Sequence, residues 1–357
     1  MKKSLLALAV LTAVSGAAFA QSSVTLYGKV DLGLVMDSGN ASGKSIRLDS
    51  GVTGGSRIGF KGVEDLGGGM KAAFQLETGY CADSAAPATS TLTVKDGAGN
   101  TVGTTTQTST NFCTGSNAFM GRQAHGDLTG AFGALSAGRQ YSIGFNNLST
   151  IDPFGTGFAG QINNIVDPSG IRLNNSVTYA TPNMGGFVGS AEIAFGEQTG
   201  NWEANRETGA GLTYASGPAY LGFSFYDVGN AAGNGASRKN YTFGGTYDFG
   251  VVKLHALVQK STGPSTLDVL DIMGGATVPI AGGNLMASYI HHNDRTSKDS
   301  DAQQFGIGYI YPLSKRTSIY TAFAKIQNRN GATFTVGNAT STGTGNKAFD
   351  FGVVHNF

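Results

Sequence analysis

From Val24 to Leu34 the chain alternates. Val24, Leu26, Gly28, Val30, Leu32 and Leu34 fall on one face of an extended segment, and Thr25, Tyr27, Lys29, Asp31 and Gly33 on the other. Successive side chains of a strand point to opposite faces, so a period of two describes a strand with one apolar and one wet face. The pattern returns along the chain. Ile58, Phe60 and Gly62 alternate with Arg57, Gly59 and Lys61, and Met70, Ala72, Phe74 and Leu76 with Lys71, Ala73, Gln75 and Glu77. Further alternating segments lie near 119–129, 134–141, 171–180, 187–195, 207–215, 219–227, 239–249, 251–260, 267–278, 283–292, 302–311, 317–326 and 347–357, giving sixteen strands in all. After Gln21 no run of about 18 apolar residues occurs, so no membrane-spanning helix is expected. Membrane strands leave a weaker trace, an alternation over about ten residues.

The connections alternate in length. Thr181 to Gly186, Ser216 to Pro218 and Leu313 to Lys315 are short, whereas 79–118, 142–170, 228–238 and 327–346 are longer and polar. Short turns at one end, long loops at the other and an even strand count predict an all-β fold, a 16-stranded antiparallel transmembrane barrel with both termini on the periplasmic side. A soluble β-sandwich also alternates. Its outer face would be rich in charge, but charged residues are only 13% of this chain and the apolar face continues through every strand. The 55 glycines, 13 tyrosines and 21 phenylalanines suit close-set strands with aromatic girdles.

The first residues read as an export signal. Lys2 and Lys3 precede an apolar run from Leu5 to Val14, and Ala18-Phe19-Ala20 fits the small-x-small cleavage rule. About ten apolar residues are too few for an anchor, so 1–20 is expected to be a cleaved signal peptide and 21–357 a single barrel domain. Removing Lys2 and Lys3 from the 24 basic residues leaves 22 against 23 acidic, a net charge of −1 that gives no reason to expect nucleic acid as a partner.

The chain resembles the general, non-specific bacterial porins, the trimeric 16-stranded channels of Gram-negative outer membranes. The resemblance rests on Ser23-Val24-Thr25-Leu26-Tyr27-Gly28, Ser56-Arg57-Ile58-Gly59-Phe60-Lys61-Gly62, Glu64 to Lys71, Arg122-Gln123-Ala124, Gly138-Arg139-Gln140-Tyr141, Arg172 to Tyr179, Leu313 to Thr317 and Gly352 to Phe357. It implies a water-filled pore for passive diffusion of ions and small hydrophilic solutes, a homotrimer joined by its first and last strands, no enzyme activity and no cofactor. It also implies extracellular loops that bind lipopolysaccharide through bridging cations. The terminal alternation of Phe349, Phe351, Val353, His355 and Phe357 looks like the insertion signal read by the outer-membrane assembly machinery. A substrate-selective outer-membrane channel is the alternative; an aromatic slide or a saturable site would mark it.

In that family the third extracellular loop folds inward and sets acids against basic residues of the wall. Carried over by motif, the wall residues are Lys29, Arg57, Arg122 and Arg172, with Arg139 a further candidate near the base of the loop. The alternation by itself sets Lys29 and Arg57 on the wet face. The third loop is expected at 142–170, where Asp152-Pro153-Phe154-Gly155 resembles the constriction segment but lacks the glutamate often found between such a proline and phenylalanine. Asp152 is the stronger acidic candidate. Asp167 is the weaker, since it also suits a supporting role in the loop. A basic wall facing few acids favours anions, so a weak anion preference is expected; Asp31 and Glu77 would oppose it if they face the lumen.

One stretch departs from the family. His125-Gly126-Asp127 follows Arg122-Gln123-Ala124 where an aromatic and small apolar residues are usual. Parity sets His125 and Asp127 outward, where charge facing lipid is costly away from the interfaces. Either they lie at a trimer contact near the periplasmic edge, or the local register differs.

Other signals are weaker. Cys81 and Cys113 share the second long loop, and two cysteines in an exported chain can pair in an oxidising compartment; a disulfide is expected, with two free thiols as the alternative. His291, His292 and Asp294 suggest a polar rim more than a metal site. Gly39 to Ser45 ends in Gly-Lys-Ser but is one residue short of a phosphate loop and reads as a flexible first loop. The stretch 83–112, rich in Thr, Ser, Ala and Gly, reads as a surface loop of low order. No nucleophile and base pattern supports an outer-membrane enzyme, and an adhesin with a blocked lumen is a further alternative.

Overall fold

The computed structural model describes residues 23–40, 43–84, 89–95, 101–108, 119–264 and 267–357. The expected signal peptide and Cys113 lie outside the described residues. The strands are β1 (Ser23–Asn40), β2 (Gly43–Ser50), β3 (Arg57–Gly67), β4 (Met70–Gly79), β5 (Thr89–Lys95), β6 (Thr101–Thr108), β7 (Gln123–Gly130), β8 (Gly133–Tyr141), β9 (Arg172–Ala180) and β10 (Phe187–Ala194). They continue as β11 (Glu207–Ser216), β12 (Ala219–Gly229), β13 (Ser237–Asp248), β14 (Lys253–Gly263), β15 (Leu267–Ile280), β16 (Gly283–Asp294), β17 (Ala302–Pro312), β18 (Thr317–Asn328) and β19 (Lys347–Asn356). Among the described residues an α-helix, α1 (Ile143–Ile151), follows β8.

Among the described residues, seventeen of these segments form one sheet. β1 pairs with β19 along one edge and with β2 and β3 along the other, so the sheet closes on itself. β2 and β3 lie end to end. Leu32 to Asn40 pair with β2, and Ser23 to Lys29 pair with β3. They are two halves of one strand, and the barrel has sixteen strands, all antiparallel. The break at 51–56 follows from its glycines: Gly51 (φ 83°) and Gly54 (φ 151°) take backbone angles that other residues rarely adopt, and the chain leaves the sheet there.

The polarity of the wall is inverted relative to a soluble protein. In β19, Phe349, Phe351 and Val353 are exposed, while Ala348, Asp350 and Gly352 are buried. Across the sheet the exposed set includes Leu34, Phe60, Leu221, Phe243, Phe305 and Phe323, and the buried set includes Asp31, Glu77, Glu192, Gln259, Asp271 and Gln304. An apolar surface around a polar interior is what a strand wall needs when its outer solvent is lipid.

Residues 142–170 pack against the buried face of the wall. Leu148, Ile151, Phe154, Phe158 and Ile162 of this segment share a cluster with Leu257, Met273, Met286, Ile290, Tyr320 and Ile326 of the strands. α1 is capped by the Ser142 side chain, which accepts from Phe145 N. Glu192 accepts from Ile143 N at 3.2 Å. At the other end of the helix the Ile151 carbonyl accepts from His255 Nδ1 at 2.7 Å. The last long connection, 329–346, packs there as well, with Val336 fully buried.

Two sequence expectations change. Gly43, Lys44 and Ser45 belong to β2 and pair with β1, so they are not a flexible first loop. Within 83–112, β5 and β6 pair as a two-stranded sheet, so that stretch is partly ordered: Thr and Ser tolerate a strand backbone, which composition alone hides.

Candidate pore constriction

A cavity of about 780 Å³ lies against the buried face of β1, β3 and the start of β9. It brings together four of the expected residues, Lys29, Arg57, Arg122 and Arg172. Lys29 and Arg57 are directly paired across β1 and β3, which puts both side chains on one face. Arg122 stands just before β7 and is anchored through the backbone, its N–H donating to the Glu77 carbonyl at 3.1 Å. Arg172 opens β9 opposite Tyr141.

A second layer holds these cations. Glu77 is 3% exposed and accepts from Arg122 Nε at 2.7 Å and from the Tyr27 hydroxyl at 3.1 Å, with Arg57 Nε 3.5 Å away. Arg122 Nη2 and Arg172 Nη2 both donate to the Tyr141 hydroxyl, at 2.9 and 2.7 Å. Lys29 Nζ donates to Thr53 Oγ1 at 3.1 Å, and Asp31 accepts from the same threonine through its N–H and its hydroxyl, both at 2.7 Å. Hydrogen bonds to charged groups are worth about 1.5–3 kcal/mol each, enough to hold long side chains in register around water.

The other expected residues are not on the cavity. Asp152 turns into its own loop, where it is 4% exposed and accepts from Phe154 N (3.1 Å), Thr156 N (2.9 Å) and Ile162 N (3.0 Å). Three backbone donors outcompete a view of the basic wall. Asp167 pairs with Arg238 and accepts from Ser169 N at 2.9 Å. Arg139 donates to the Gly121 carbonyl and to Asn174. The register shifts between Gly138 and Gln140, and Arg139 is paired with Ala124, on the face that carries Leu76. A bulge of this kind re-aims a side chain.

For His125 and Asp127 the second of the two alternatives holds, a differing local register. His125 pairs with Gln75, whose amide donates to the Tyr27 hydroxyl beside Glu77, so both residues belong to the polar face. Leu128, on the opposite face, is exposed. β7 starts at Gln123, after Arg122, so alternation counted from Arg122 is out of step. His125, Asp127 and Ser136 then satisfy one another by hydrogen bonds.

The far side of the cavity escaped sequence reasoning. α1 contributes Phe145, Asn146 and Ser149, and the 329–346 connection contributes Phe334, Asn338 and Thr340. The segment that follows α1 is tied to the 329–346 connection. Gln161 Nε2 donates to the Asn338 carbonyl at 2.7 Å, and Gly337 N donates to Asn164 Oδ1 at 3.0 Å. Only polarity marked 329–346, and polarity does not separate a lining loop from a surface loop. Among the described residues lining the cavity there is no aspartate or glutamate.

Known proteins resemble this chain in sequence and in fold. The model of the Gram-negative porin family matches residues 7–331. The chain is 36% identical over 355 residues to outer membrane porin protein 32 of Delftia acidovorans, covering 93% of this chain and 92% of that one. It is 27% identical to the major outer membrane protein P.IB of Neisseria meningitidis serogroup B, over 97% and 100% of the two chains. Its fold matches the structure of an anion-selective porin from Comamonas acidovorans with a TM-score of 0.74 and 30% identity, covering 94% of this chain and 100% of that one. Together with the closed, inside-out barrel around a polar cavity, these matches lead to one conclusion: the chain belongs to the Gram-negative porin family and is an outer-membrane porin.

Proposed function

We propose that this porin passes small hydrophilic solutes by passive diffusion with a preference for anions, and that Lys29, Arg57, Arg122 and Arg172 set the preference. The observation that carries this reading is the lining itself: four cations and no carboxylate among its described residues. One buried acid, Glu77, stands behind them and offsets part of their charge. A ring of like charge in a narrow aqueous passage raises the local concentration of counter-ions. The similar porin from Comamonas acidovorans is described as anion-selective, which agrees. The 142–170 segment acts as the inward loop that narrows the pore, and 329–346 supports it. Residues 1–20 serve as a cleaved export signal, Phe357 as part of the assembly signal, and Cys81 and Cys113 as a disulfide. The working unit is a homotrimer in lipid and lipopolysaccharide. The pore does no chemistry.

The double variant Arg57→Gln, Arg172→Gln tests the central part. It should lower the chloride-to-potassium permeability ratio several-fold in planar membranes; an unchanged ratio would sink the assignment. Gel mobility of unheated protein checks the trimer, and thiol labelling without reductant checks the disulfide.

A further inference from the structure

α1 presents a polar surface to the cavity with one exception. Its buried positions are Ile143, Gly144, Asn147, Leu148 and Ile151. Asn146, Ser149 and Thr150 lie on the other side, and Phe145 is the apolar residue among them, only partly covered. A phenyl ring facing an aqueous passage gives up the stabilisation that burial would bring, and selection by charge alone does not call for it.

The ring is not isolated. Phe145 stacks on Tyr141 with centroids 4.9 Å apart and planes 19° from parallel. The Arg172 guanidinium lies 4.4 Å from the centre of the same Tyr141 ring. Arg122 and Arg172 meet at the Tyr141 hydroxyl. The Nη groups of Arg57 make no hydrogen bond among the described residues, its one ionic contact being through Nε. An aromatic surface therefore adjoins guanidinium groups with donors to spare. Ligand sites commonly combine an apolar or aromatic wall with a few convergent polar groups, in cavities of roughly 300–1,000 Å³, and this one is about 780 Å³.

We propose that the constriction holds a saturable site for aromatic carboxylates, the ring lying on Phe145 and the carboxylate on the arginines. This rests on the anion-preferring reading above. The guanidiniums form paired N–H bonds with the carboxylate. The phenyl ring adds a stacking contact that an aliphatic carboxylate of equal charge and size cannot match. Solutes of this class linger in the pore and exclude chloride while they are there.

The test uses the purified full-length protein in planar membranes, with chloride current read against added benzoate or cyclohexanecarboxylate. Benzoate should reduce the current saturably, at a concentration about two- to tenfold lower than cyclohexanecarboxylate, the range expected for one aromatic contact. Phe145→Ala and Phe145→Leu should each remove that difference; the leucine variant keeps apolar volume if the alanine variant folds poorly. Equal effects of the two acids on the wild type, or a difference undiminished in both variants, would overturn the proposal. The zero-current potential of the wild type in the same membranes separates the two readings. Chloride preference without ring discrimination removes this inference alone, and loss of chloride preference removes both.

Discussion

Several acidic side chains inside this barrel stand off the cavity and hold backbone. Asp31 holds Thr53, Asp350 accepts from Ala159 N at 2.6 Å, Asp37 accepts from Thr344 N at 3.1 Å, and Asp152 folds its own loop. Charge is thus sorted on the cavity surface: cations line it, and these carboxylates meet backbone N–H groups behind it. Asp152→Asn should leave the zero-current potential near the wild-type value, because Asp152 is not on the cavity. Ser149→Asp, which adds an acid on the cavity, should cut anion preference several-fold. The opposite ranking of the two variants would show that charge sorting has been misassigned. Burial also pushes the Asp152 carboxyl up to about 6 from 3.8, against its three backbone N–H donors, which favour the charged form. A carboxyl that binds its proton more tightly in the folded loop contributes stability that is complete below the unfolded value of about 4 and is lost as pH rises through about 6. Acidification from pH 7.5 to 5 should therefore increase exchange protection at the Phe154, Thr156 and Ile162 amides, after correction for intrinsic rates; reduced protection would contradict this.

At the scale of elements, the broken second strand is the joint on which the inner segments meet. The Val52 carbonyl accepts from Phe158 N at 2.8 Å and from Ala339 N at 3.3 Å, so 51–56, 142–170 and 329–346 share one acceptor. Gly157 makes the approach possible, because a Cβ there would lie 2.3 Å from the Thr53 carbonyl oxygen. Gly157→Ala should part the loop from 51–56, measured as faster exchange at the Phe158 amide; unchanged exchange would show that the contact adapts. Strand faces were legible wherever a regular ladder runs, because alternation is local and burial is all or nothing across a wall. Lys29 and Arg57 stand on the face that alternation assigns them for that reason. Arg139, carried over by motif, stands off the cavity because a bulge shifts its face, and the register at His125 differs because the strand begins one residue after the arginine from which parity was counted. The lining by Phe145 and Phe334 depends on how two distant loops pack, which no local pattern encodes.

The whole molecule is a closed sheet whose outside is apolar and whose inside is polar, and the cavity lined by Lys29, Arg57, Arg122 and Arg172 lies on that polar inner side. Fixed charge there acts most strongly in dilute salt, where the screening length is about 30 Å at 0.01 M against about 3 Å at 1 M. These cations, unopposed on the cavity surface, are proposed to select the ions that cross. The direct measurement is the zero-current potential of the purified protein in a planar membrane across an about tenfold gradient of dilute potassium chloride. The predicted result is a dilute side that becomes negative, as chloride leads potassium down the gradient, with the potential shrinking when both solutions are made more concentrated. A dilute side that becomes positive would mean that potassium leads and that these cations do not set the selectivity.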